Sequence, residues 1–585
     1  MKYRLLSLFL LFLPLSLVAA PVPADKAGRL AQQFLRSEGS RSSTVRLLEE
    51  PYSTKSISGD PGYYIFEGDR GGFVLMASDD RVSPVIGWSP NGKFKTDGMP
   101  ENLRAWLDMW RNIILDIKGG KLAPQTGVAT EWDAIEKGIQ PLYSTGKELA
   151  TANWGQGIPY NTYCPTYEGG TSVTGCTATA TAIVMRYHKW PKTGSGTIPA
   201  YSYTDDGGTK RSVGAVKLGH SYNWDNMPLD VDSSTDADAQ KEIARLIYEI
   251  GVMLKSEYNP GGTSATTIDI GYGLTSYFDY DGSIFDYRKC YFSDAEWRQM
   301  MIDNIDNVGP VVYSGQSTDG GHAFVLDGYN AQGQFHINWG WNGNGNGYFT
   351  MPAFDEYTSD QGACLNIRKN AGSPVQEALF IDSNDVSKYS GMECSTTEFK
   401  VGEPFDFSCR YIFNISARPF RGRIALAVAH RDGSLGEILG VLEDVYLTRL
   451  SGTSLVATDC VLEEPIKIGD RLCLWFSSEN TPEWTLIRAN AEDGFVGEIP
   501  IADPLSIEEV TSFRYTAATG KLLISSKPGI SWSIKDKRGT SYTQGVEFAD
   551  GVLTIDTNVF KEDSYILTLT KDYDSKSVEF VFGKK

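Results

Sequence analysis

At 585 residues the chain holds roughly three to five folding units of about 150 residues each, which excludes a single core. Its 54 Lys and Arg stand against 73 Asp and Glu, a net charge of −19, which argues against nucleic acid or an anionic lipid surface as partner. A hydrophobic content of 41% with 60 Gly and 30 Tyr excludes extended disorder and favours turn-dense, β-rich structure.

Lys2 and Arg4 precede an apolar run from Leu5 to Val18 and the small Ala19 and Ala20, the order of a secretory signal, so residues 1–20 are expected to be a signal peptide. No later stretch reaches the ~20 apolar residues of a spanning helix, and the expectation is a chain that works outside the cytoplasm, secreted or at the cell surface, with no membrane span. Residues 21–145 read as a small α+β unit. Val74, Leu75 and Met76 follow Gly71-Gly72-Phe73 as a strand, and Leu103, Trp106, Leu107, Trp110, Ile113, Ile114 and Ile117 recur at helical spacing behind Pro100. Between 118 and 150 periodicity fades and Gly, Pro, Lys and Thr accumulate, the pattern of an exposed, cleavable linker.

From 146 to 375 an α+β domain is expected, with helices first and strands later. One apolar helix runs near Gly175 to Tyr187 and a second carries Ile243, Leu246, Ile247, Ile250, Met253 and Leu254. Strands follow at Pro310 to Tyr313, Ala323 to Leu326 and Phe335 to Trp339. Beyond 376 alternation takes over: Phe405, Phe407, Cys409, Tyr411 and Phe413 on one face, Asp406, Ser408 and Arg410 on the other. Similar runs to the end predict two sandwich-like β domains, 376–502 and 503–585, split near Asp503-Pro504.

Two stretches carry chemistry. In the first, Cys176 opens a helix behind Gly175, where unpaired N–H groups and the helix dipole favour thiolate. A buried structural Cys is the alternative, and first-turn position weighs against it. A nucleophilic thiol needs an imidazole to take its proton and return it to the leaving amine. Of five His, His322 follows Gly320 and Gly321, which let a substrate backbone approach, and opens a rigid apolar strand. His336 lies inside a strand, and His188 sits roughly 18 Å along the helix from Cys176 at ~1.5 Å rise per residue. Asn338 and Trp339, on the next strand, are candidates to fix the imidazole tautomer and shield it from water. Gln156 is a candidate to donate, with the Cys176 N–H, to a developing oxyanion. The run Asn342-Gly343-Asn344-Gly345-Asn346-Gly347 lacks the carboxylates of a calcium loop and reads as a glycine turn. The remaining cysteines contain no C-x-x-C pair, so no metal site is expected, and no cofactor is implied.

At these residues the sequence resembles the streptopain-like (C10) cysteine peptidases, a papain-fold family of secreted bacterial enzymes. GCTATATAIVMRYHKWP resembles the family's nucleophile helix, GGHAFVLDGY its histidine strand, HINWGWNGNGNGYF its Asn-Trp strand and turn, and WGQGIPYNTYCP its oxyanion-hole segment. The resemblance implies endopeptidase activity on protein or peptide substrates, with Cys176 as nucleophile, His322 as general acid and base, Gln156 in the oxyanion hole, and Asn338 with Trp339 behind the imidazole. Gly321 and Trp339 are expected to touch substrate. YYIFEGDRGGFVLMASDDRVSPVIGWS resembles the family's inhibitory propeptide, which implies a zymogen restrained by its own N-terminal segment. The papain signature C-G-S-C-W is absent, so kinship with papain itself is one of fold and geometry. The β domains beyond 376 exceed the minimal family plan and resemble extensions on members from Bacteroides-like bacteria. Two other readings stand beside this one: an adhesin acting through the C-terminal β domains, and a Cys/His acyltransferase that uses an acceptor other than water.

Overall fold

A computed structural model describes residues 21–48, 61–97, 99, 101–125, 127–139, 145–317, 320–351, 359–383, 391–467, 469–501 and seven strands between 512 and 582. The expected signal segment 1–20 and the boundary at Asp503-Pro504 lie outside the described residues. None of the described helices is long and apolar enough to cross a membrane. By contact the chain separates into two units, residues 1–97 with 107–142, and residues 98–106 with 143–585.

In the first unit the antiparallel strands Val45–Leu47, Tyr63–Gly68, Phe73–Ala77 and Val85–Ser89 lie in chain order. Helix Ala24–Ser37 buries Ala27, Leu30, Ala31, Phe34 and Leu35 along one stripe, and Phe34 meets Trp88 edge to face at 5.4 Å. The segment expected to be a linker contains a helix, Val128–Lys137, with Val128, Trp132 and Ile135 buried and Gly138 ending it in the left-handed region. Those three apolar residues fall at i, i+4 and i+7, a stripe that the surrounding Gly and Pro obscured.

The second unit is mixed α+β. An antiparallel sheet runs in the order Gly347–Phe349, Phe335–Asn338, Gly320–Asn330, Val311–Ser317, Ser359–Leu365, Phe285–Arg288, and Thr145–Glu148 pairs with the end of Gly320–Asn330. Helices Cys176–His188 and Ala237–Met253 pack together over a core that includes Ile183, Val184, Ile247, Ile250 and Val325. Helix Cys176–His188 buries every residue from Thr177 to Arg186. Two of its hydroxyls are satisfied along the helix, Thr179 Oγ1 donating to Gly175 O and Thr181 Oγ1 to Thr177 O, so a threonine-rich helix can be interior.

From Phe380 to Pro500 two antiparallel-dominated sheets face each other over Phe405, Phe407, Ile424, Leu426, Leu472 and Leu474. The expected alternation holds from Phe405 to Cys409 and then slips: Ile412 and Asn414 are buried, while Tyr411 and Phe413 are half-buried. The cause is a bulge opposite strand Ser451–Val461 between Arg410 and Ile412, where one extra residue reverses which side faces in. Toward the C terminus, the seven remaining strands form a three-stranded and a four-stranded antiparallel sheet. All eight cysteines are free thiols.

Candidate active site

Gly175 has φ 87°, and a Cβ there would lie 2.9 Å from Thr263 O, so only glycine lets the chain turn this tightly into the helix. The turn puts Cys176 at the helix start, half-buried. Its Sγ accepts the N–H of Ala323 at 3.4 Å. Ala323 follows His322 in strand Gly320–Asn330, which is held by register pairs His322 with Gly315 and Ala323 with Ser314. Helix and strand thus deliver sulfur and imidazole to one cleft of about 650 Å³ lined by Cys176, Gly321, His322 and Ala323 together with Ala265, Thr266, Thr267 and Asp269. The segment carrying Ala265 is tied to the nucleophile helix by Thr177 Oγ1 donating to Ala265 O at 3.0 Å.

Burial pushes the Cys176 thiol up, against the opposing pull of the Ala323 and Thr177 hydrogen bonds. Desolvation thus outweighs the hydrogen bonds that favour thiolate.

Gln156, Asn338 and Trp339 are all buried and stand outside the set of residues lining the cleft. Gln156 is brought to the nucleophile through its backbone, its carbonyl accepting the N–H of Thr174 at 3.1 Å. Asn338 faces Val325 across the ladder. Its Nδ2 donates to Thr151 Oγ1 at 3.0 Å and Ala152 O at 2.9 Å, and its Oδ1 accepts from Gly340 N at 3.1 Å. Trp339 donates its indole N–H to Gly345 O at 3.1 Å and packs between Phe324 and Phe349, with centroids 5.1 and 5.3 Å away. The glycine turn is as read from sequence, with Asn342, Gly343 and Gly345 at positive φ. Its Asn346 accepts from Trp339 N and donates to Asn153 Oδ1.

Other contributors escaped the sequence reading. Asn102 donates its carboxamide to Trp339 O at 3.1 Å and Ala323 O at 3.4 Å, seating a residue of the N-terminal region on the strands behind the site. Beneath it, His336 Nδ1 lies 2.5 Å from Asp327 Oδ1, Thr151 Oγ1 bonds Asp327 Oδ2, and Tyr348 meets the His336 ring edge to face at 5.0 Å. Burial pulls the His336 pKa down, but the Asp327 carboxylate outweighs it and the net direction is up. No local pattern marks these residues, because their contacts cross between strands and, for Asn102 and Thr151, join segments far apart in sequence. Among the described residues no group of three or more His, Cys, Asp or Glu is arranged to hold a metal ion.

Comparison with known proteins matches these elements. Residues 154–349 match the Peptidase C10 family, and residues 19–114 match the Spi protease inhibitor family. The chain is 31% identical over 365 residues to the thiol protease/hemagglutinin PrtT of Porphyromonas gingivalis, an alignment covering 61% of this chain and 42% of that protein. It is 29% identical over 333 residues to streptopain of Streptococcus pyogenes, covering 54% of this chain and 80% of that protein. It therefore spans less than half the length of PrtT. Among solved structures, a prointerpain A fragment of Prevotella intermedia aligns at 26% identity with a TM-score of 0.42, over 56% of this chain and 98% of that one. The segment that places Cys176 and His322 on one cleft is the segment that matches the Peptidase C10 family, and over it the chain is similar to streptopain and PrtT.

Proposed function

We propose that the chain is a secreted cysteine endopeptidase, made as a zymogen, that hydrolyses peptide bonds of extracellular proteins. The observation that carries this is the bond from Ala323 N–H to Cys176 Sγ at 3.4 Å, which brings His322 and the thiol into one open cleft. In the active enzyme His322 takes the thiol proton, and the sulfur attacks the scissile carbonyl carbon. The oxyanion that forms is met by the Cys176 N–H and the Gln156 carboxamide. The imidazolium protonates the leaving amine as the C–N bond breaks, leaving an acyl thioester. His322 then deprotonates water, which attacks the thioester, and the thiol is regenerated with its proton. Asn338 and Trp339 brace the strand behind the imidazole, and Gly321 gives the substrate backbone room.

We place the papain-like catalytic domain at 146–375, the inhibitory propeptide at 21–145, and the two β domains at 376–502 and 503–585. The match to an inhibitor family upstream of the peptidase segment supports the zymogen reading. Both family matches end before residue 350, so neither lends support to an adhesin. The activation cut is placed within residues 118–150, outside helix Val128–Lys137 and strand Thr145–Glu148, which are held by packing and pairing. The test is casein digestion by the secreted chain and by Cys176→Ala. Loss of cleavage in the variant is expected, and retained cleavage removes Cys176 from the mechanism.

A further inference from the structure

Among the residues lining the cleft is Asp269, the first residue of helix Asp269–Tyr277. Its carboxylate is held from outside the peptidase segment. Arg449, on the turn between strands Leu435–Leu447 and Ser451–Val461 of the sandwich, grips it with both arms of the guanidinium, Nη1 on Oδ1 and Nη2 on Oδ2 at 3.0 Å. The turn is itself anchored. Buried Asn414 donates to Thr448 O at 3.2 Å and Leu447 O at 3.4 Å, and Thr448 bonds Ser451. A second sandwich residue, Arg418, bonds Thr275 Oγ1 and lies 5.0 Å over the Tyr272 ring on the same helix. The helix whose first residue lines the cleft is thus held by two arginines of the β domain.

We infer that the sandwich completes the substrate site: Arg449 neutralises and positions Asp269 so that this part of the cleft lining does not select cationic peptide side chains, which makes Arg449 a positioning and specificity-determining residue supplied by the C-terminal region. The inference rests on the peptidase reading of the same cleft. The other charged side chains lining it are Lys255, Glu257 and Arg288, and Arg288 has Asp286 at 3.4 Å. Uncovering Asp269 therefore adds one negative charge to the cleft lining.

The experiment measures kcat/KM of the matured full chain on paired peptides that differ only by Lys or Glu at one position, scanned across the scissile bond. For Arg449→Ala the Lys-to-Glu preference rises about fivefold at one position, chiefly through KM. Arg449→Lys keeps the wild-type preference, and adding Asp269→Asn to Arg449→Ala restores it. Asp269→Asn alone, which leaves the Arg449 cation at the rim, shifts preference the opposite way and serves as the readout if Arg449→Ala fails to fold. Iodoacetamide labelling of Cys176 at the wild-type rate verifies an intact nucleophile. Preferences that stay at the wild-type ratio in active Arg449→Ala and Asp269→Asn overturn the inference while leaving the peptidase reading intact. A wild-type chain that cleaves none of the peptides overturns that reading, and this inference with it.

Discussion

The Sγ of Cys176 receives the N–H of Ala323 at 3.4 Å, so the first residue of a helix is tied to the residue after His322 in a strand. Burial holds this thiol up despite that bond, and a protonated sulfur is a poor nucleophile. In the full-length chain carrying the N-terminal segment, iodoacetamide should alkylate Cys176 at pH 7 at least about tenfold more slowly than an unhindered cysteine peptide. The rate should climb only above the ordinary thiol range, as read by peptide mass spectrometry.

Asn102 bridges Trp339 O and Ala323 O with one carboxamide. Two buried hydrogen bonds at about 1 kcal/mol each make it a latch on the strands behind the nucleophile. Asn102→Ala should shorten the lifetime of the precursor roughly tenfold without changing the kcat of the matured enzyme, measured as decay of the full-length band.

The hydrogen-bonded chain His336, Asp327, Thr151, Asn338 shares one buried carboxylate between an imidazole and a hydroxyl. Asp327→Asn removes that charge and should cost about 3–5 kcal/mol in urea unfolding. Because the folded His336 pKa is raised, its contribution is full below the unfolded value near ~6.5 and is lost as pH rises through the folded one. The stability difference between wild type and His336→Gln should shrink accordingly toward alkaline pH.

Glu249 is buried, accepts the Tyr222 hydroxyl at 2.6 Å and has His220 Nε2 at 3.4 Å. Burial, partly offset by the Tyr222 bond, pushes its carboxyl up to about 7. A raised folded pKa means stability that is present in acid and lost as pH climbs from the ordinary carboxylate range through about 7. Glu249→Gln should flatten the dependence of the thermal midpoint on pH across that interval, with Tyr222 keeping a partner.

What could be read from the amino-acid order was whatever a local pattern encodes. Helix Cys176–His188, strand Gly320–Asn330 and the glycine turn each announce themselves within a dozen residues, and with them came Cys176, Gly321 and His322 on one cleft. Helix Val128–Lys137 was hidden because its stripe is short and framed by breakers. The face assignment past Arg410 failed because a bulge depends on the partner strand. Asn102, Asp327 and Arg449 were invisible for a common reason: each acts on a group far away in sequence, and no periodicity reports such a meeting.

The most direct measurement is the pH profile of Cys176 alkylation in the matured enzyme with His322 and with His322→Ala. A sulfur paired with His322 exists as thiolate beside imidazolium, so the wild type should react at a rate that persists well below pH 7. His322→Ala should react only as pH approaches the range of an ordinary thiol, together with loss of casein cleavage. Superimposable profiles in the two proteins would contradict the pairing on which the mechanism depends.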